Sequence, residues 1–237
     1  MLSGYPTSVV MLFYGTTLLA LVFFLNFLKI GINNLEWDVA EKAQFLRKIM
    51  LTLFGWLFVT CLASLTGIIA KFDAMPPRPV FVLGAGIILI VVLLSSKKFN
   101  QVILAVPPHF ALWFQVFRVP VEIFLWMMFT KEFIPIEMTF EGLNFDILAG
   151  ILGPIVGYLV FQKKALPKAV ATIYHVLGLA TLITIVTIAV LSMPTPIQQF
   201  TPSNTFVVAF PFIWLPTILV PLAATFHIIG LKQLRSN

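Results

Sequence analysis

Charge is scarce in this sequence. Only 10% of its 237 residues are Asp, Glu, Lys or Arg, against about 25% in a soluble domain. With 60% apolar residues, water would find too little polar surface to solvate, which excludes an ordinary soluble globule. Cysteine is reduced to Cys61, so an intrachain disulfide is excluded; inside an apolar run it reads as a small buried hydrophobe. The spacings that create a nucleophile elbow, a zinc-binding helix or a phosphate loop (GxSxG, HExxH, Walker A) are missing, so no catalytic signature names an enzyme. The last apolar run has no lysine for a retinal Schiff base, and Ser95-Ser96-Lys97-Lys98 stand where a receptor would carry Asp-Arg-Tyr. Lys and Arg are also absent from the first eight residues. The apolar run that follows is longer than the roughly 7–15 residues of a signal-peptide core, so it reads as a span.

What the chain has is apolar length. Runs at about 9–30, 49–70, 80–96, 106–130, 146–162, 169–192 and 206–230 approach the roughly 20 residues a helix needs to cross a hydrocarbon core about 30 Å thick. The expectation is all-α: a polytopic bundle of seven transmembrane helices forming one domain over 1–237. The third and fifth runs are short, since about 15 helical residues cover only ~23 Å. Eleven of the fourteen Lys and Arg residues outside the fourth run fall in alternate connections and at the C-terminus. That bias places the N-terminus outside and the C-terminus in the cytoplasm. The basic residues are spread over short loops, which excludes a nucleic-acid partner; membrane lipids are the expected surroundings. No fixed-period internal repeat supports an inverted-repeat transporter.

Polar residues inside the runs carry the functional reading. Arg118 lies eleven residues beyond Pro107 in the fourth run, roughly 17 Å along a helix, where a charge costs at least about 2.5–3.5 kcal/mol. Glu122, four residues on, shares its helix face and is expected to offset that cost, with Gln115 extending the stripe. Pro120 between them frees the Val116 carbonyl. The external connection alternates apolar residues with Glu137, Thr139, Glu141, Asn144 and Asp146 around Gly142, the pattern of a short bent, hairpin-like segment that is either a lid over the polar site or a loop resting on the interface. His109, His175 and His227 fall at a similar depth in three runs. They are weak candidates for haem or metal, because no HxxxH or ExxH spacing accompanies them. Neither a metal nor any cofactor is expected. Pro211, Pro216 and Pro221 should bend the last run, and Gly153 and Gly157 permit a close internal helix contact.

The segments Arg118-Val119-Pro120-Val121-Glu122, Met138 through Asp146, and Pro211-Phe212-Ile213-Trp214-Leu215-Pro216 resemble those of uncharacterised bacterial integral membrane proteins. The resemblance implies a multi-helix bundle in a bacterial inner (plasma) membrane and transfers no activity. From the residues themselves, the leading expectation is a small permease or channel-like protein taking a small polar ligand or ion at Gln115, Arg118 and Glu122. The alternatives are a non-transporting sensor or assembly subunit in which Arg118 and Glu122 form a structural clamp, and a haem- or metal-binding protein using the three histidines. Oligomeric state is not legible.

Overall fold

The structure, a computed structural model, describes residues 4–73 and 76–236. Among the described residues it is all-helical, without strands. Eight helices follow in order: α1 Thr7–Asn33, α2 Val39–Leu65, α3 Arg78–Ser95, α4 Lys97–Leu104, α5 His109–Phe129, α6 Asp146–Gln162, α7 Lys168–Leu191 and α8 Leu215–Ser236. Six of them (α1, α2, α3, α5, α7 and α8) are long and apolar enough to cross a membrane, and α6 is a shorter apolar helix of 17 residues. The short α4 buries Phe99, Val102 and Ile103 and leaves Lys97 and Lys98 exposed.

Several helix boundaries follow from local chemistry. Asp38 caps α2, accepting from the Glu41 N–H at 2.6 Å. Pro79 opens α3, where its missing N–H costs nothing. In α5 the turn Phe114–Phe117 winds as a tighter 3-10 helix just ahead of Pro120, whose missing N–H deprives Val116 of its donor. The last apolar run differs most from expectation: 206–214 forms a short 3-10 segment and turns, and helix begins only at Leu215, so Pro211 precedes it. α8 opens with a π-helical turn, Leu215–Leu219. Pro221 then leaves the Thr217 carbonyl without its i+4 donor, and the Trp56 indole of α2 takes its place at 2.9 Å.

The core lies between α1, α5 and α8. Phe13, Phe124 and Phe212 meet with centroids 4.9–5.3 Å apart, and Phe114 stacks on Phe226 at 3.6 Å. By contrast α2 buries only Phe45, Ile49 and Thr60, and α3 only Pro79, Gly86 and Ile90, so both are peripheral. At one end of the bundle Asn34 bonds the Ala105 carbonyl and Lys98 pairs with Glu41. At the other Tyr5 packs on Phe133 and Phe212, and Ser64 bonds the Val208 carbonyl. The eleven basic residues counted above gather at the first end.

α6 lies tight against α5. A Cβ at Gly150 would strike Val119, one at Gly153 the Leu112 carbonyl, and one at Gly157 the Trp113 ring. The Gly153/Gly157 spacing is thus an internal contact, as its sequence context indicates. The connection 130–146 forms no strand, correcting the alternation-based reading of its backbone. It is a compact turn around the 3-10 segment Ile136–Met138, closed by Gly142 and Asn144 N–H groups donating to the Thr139 carbonyl. Gly142 has no room for a Cβ above the Ile136 carbonyl, which explains the break in alternation at that position.

Candidate functional site

The 3-10 turn in α5 and the glycine-lined approach of α6 bring Arg118 to the centre of the bundle, where it is 2% exposed. Burying a guanidinium costs several kcal/mol unless partners replace its water. Three other helices supply them. Asp146, at the start of α6, forms an ion pair with Nη2. Thr181 of α7 accepts from Nη2 at 3.1 Å, and His227 Nε2 of α8 accepts from Nη1 at 2.9 Å. Thr181 Oγ1 in turn donates to the Gly178 carbonyl.

Glu122 does not bond Arg118, so the expected i,i+4 pair is corrected. Its carboxylate accepts from Asn144 Nδ2 at 2.7 and 2.8 Å, while Asn144 Oδ1 accepts from the Asp146 N–H. The reason is tertiary: the folded 130–146 turn tucks Asn144 and Asp146, 1% and 5% exposed, between Glu122 and Arg118. Gln115 donates to the Ala223 carbonyl at 3.1 Å, and its Oε1 has no partner among the described residues. Of the other loop residues, Thr139 is buried and bonds the Ile136 carbonyl. Glu141 is exposed and accepts from the Trp126 indole, and Glu137 is half-buried outside the cluster.

Two of the three histidines meet. His175 and His227 are fully buried with Nδ1 atoms 3.1 Å apart, so these two form a pair between α7 and α8. His109 lies elsewhere, half-exposed against Phe110 and Trp113. Among the described residues no group of three or more His, Cys, Asp or Glu is placed to hold a metal ion.

The direction of hydrogen bonding is set by arginine, which can only donate. His227 Nε2 therefore accepts, and its neutral ring carries the proton on Nδ1. That N–H donates to His175 Nδ1, so His175 carries its proton on Nε2, a buried atom with no partner among the described residues. The chain Arg118, His227, His175 thus runs one way.

Space for the two rings is reciprocal. A Cβ at Gly178 on α7 would strike the His227 ring, and one at Gly230 on α8 would strike the His175 ring. Each helix reads His-x-x-Gly, His175-Val-Leu-Gly178 and His227-Ile-Ile-Gly230, so each glycine seats the other helix's histidine. This repeat is the signal that points to the pair from sequence. Tyr174, which bonds the Ala149 carbonyl at 2.7 Å and lies 5.6 Å from the His227 ring, and Thr181 carried no such signal.

A family model described as a domain of unknown function (DUF8737) matches residues 76–235, a stretch that contains every residue of this cluster. No curated protein and no solved structure matches the chain.

The tautomers are directly observable. In protein carrying 15N-labelled histidine, two-bond nitrogen–proton correlations should show His227 protonated at Nδ1 and His175 at Nε2, with His109 averaging between forms. A His227 ring protonated at Nε2 would contradict the assigned direction.

Proposed function

The chain belongs to the DUF8737 family, and within the matched region we propose that Arg118, Glu122 and Asp146 form the solute and proton site of a small membrane permease. One observation carries the reading. A single guanidinium faces two carboxylates, Glu122 at 1% and Asp146 at 5% exposure; if both were ionised, one buried negative charge would remain. A low-dielectric interior does not tolerate such a charge alone, and a proton or a cationic solute is what neutralises it. Buried ionisable groups inside apolar helices mark ion and proton paths.

The arrangement proposed around this site is a seven-span bundle, α6 being the short span, with α4 on the cytoplasmic surface, the N-terminus outside and the C-terminus inside. Support comes from the basic residues gathered at one end of the bundle and from the close seating of α6 against α5, which lets neighbours shield a helix of limited length. The 130–146 turn then covers the outer end of the site, supplying Asp146 to it and Asn144 as the partner of Glu122.

A second reading has its own observation. All the resolved partners of Arg118 are protein groups on three different helices, as in a clamp that only fixes packing. The two readings differ in flux.

Reporter fusions after Lys98, Lys164 and Lys232 should indicate cytoplasm, and fusions at Glu137 and Gln198 the outside. An external C-terminus would refute the seven-span arrangement. For function, vesicles reconstituted with the wild-type protein should dissipate an imposed pH gradient. Glu122→Gln, which keeps a hydrogen-bonding partner for Asn144, should abolish that flux while its unfolding midpoint stays near wild type. Wild-type vesicles as tight as empty ones would favour the clamp.

A further inference from the structure

Beside the charged cluster lies a cavity of about 90 Å³, several times the roughly 10–15 Å³ that admits one water molecule. Its walls are the first turns of α3, the outer halves of α5 and α7, the 193–208 segment and the π turn of α8. Among the described residues, three of its lining side chains are polar: Glu122, Asp146 and Asn204. All three present acceptors. Asn204 is fully buried, its Nδ2 is committed to the Ala189 carbonyl, and its Oδ1 has no partner among the described residues. Arg118 does not line the cavity. The N-terminus of α3 offers no anion seat there, because the Arg78 and Val80 N–H groups are already bonded to the Lys71 and Pro77 carbonyls and Pro79 has none.

We propose that this cavity is the binding site for a hydrophobic organic cation, a protonated amine whose ammonium faces Glu122, Asp146 and Asn204 Oδ1 while its hydrocarbon part lies on the apolar walls. The inference rests on the permease reading for its consequence and names the solute class of that site. The polar complement decides the class. An apolar cavity with acceptors and no free donor matches a ligand that is all donor at one end, whereas a carboxylate or phosphate would bring more acceptors to two carboxylates. The volume suits a small amine or the head and first carbons of a longer one.

Charge balance then links ligand to proton. With one guanidinium for two carboxylates, the second carboxylate is neutralised either by a bound proton or by the ammonium. Entry of the ammonium therefore releases the proton, and its departure lets the proton return. The ammonium and the proton therefore compete for one carboxylate.

The probes are hexylammonium, hexanol and hexanoate at equal concentration, read by the thermal unfolding midpoint of the purified full chain in detergent near neutral pH. Hexylammonium at about tenfold its Kd should raise the midpoint by about 3 °C or more. The other two should not. The shift should vanish in Glu122→Gln and, independently, in Ala189→Phe, which fills the cavity from a partly buried wall position. Equal stabilisation by hexanol or hexanoate, by sodium chloride alone, or a hexylammonium shift that survives both substitutions would overturn the proposal. So would the absence of any hexylammonium effect on the wild type. Binding in detergent needs no gradient, so a protein that binds hexylammonium but carries no flux would fail as a permease and not as an amine site.

Discussion

The burial of Arg118 is the constraint around which the rest of the structure is arranged. A guanidinium at 2% exposure must recover its hydration from the protein, and its acceptors come from the starts or middles of α6, α7 and α8. Bringing those helices within hydrogen-bonding range demands small residues at the crossings. Gly150 and Gly153 let α6 reach α5, and Gly178 and Gly230 let two imidazoles sit between α7 and α8. The pattern matches helix association in apolar surroundings, where close backbone approach and buried hydrogen bonds replace the hydrophobic drive available in water.

The helical runs were legible because hydropathy is a local property: α1, α5, α6 and α7 coincide closely with their apolar runs. The departures have local causes as well. α2 begins at Val39, far ahead of its apolar run, because Asp38 caps a first turn that is polar on the outside, and charged residues there hide a helix from a hydropathy reading. Residues 206–214 are apolar yet form no α-helix, because Phe206, Val207, Val208, Phe212 and Ile213 are buried in the core as a folded segment rather than along a helix face.

The site was half legible. Gln115, Arg118 and Glu122 stand out because charge and amide groups are costly inside an apolar run, and all three are buried. Their partners were not assignable, because helix spacing names only neighbours on the same helix. Asn144 and Asp146 reach Glu122 and Arg118 through a turn whose path depends on Gly142 and on the Asn144 amide donating to the Met138 carbonyl. The histidines show the same limit from the other side. Similar depth brought all three under one reading, but only the two followed by glycine three residues later meet. In His109 that position is Leu112, and its ring packs on Phe110 and Trp113 instead.

Whether Arg118 and Asp146 act as the coupled pair on which this arrangement depends is tested most directly by a double-mutant cycle in thermal or chemical unfolding, using Arg118→Gln, Asp146→Asn and the two combined. Breaking a buried ion pair costs about 3–5 kcal/mol, and Glu122, held by the Asn144 amide, does not take the place of Asp146 at Nη2. Each single substitution should be destabilising on that scale, and the double variant should be less damaged than their independent effects would make it. Additive losses, with Asp146→Asn no worse than a surface change, would contradict that coupling.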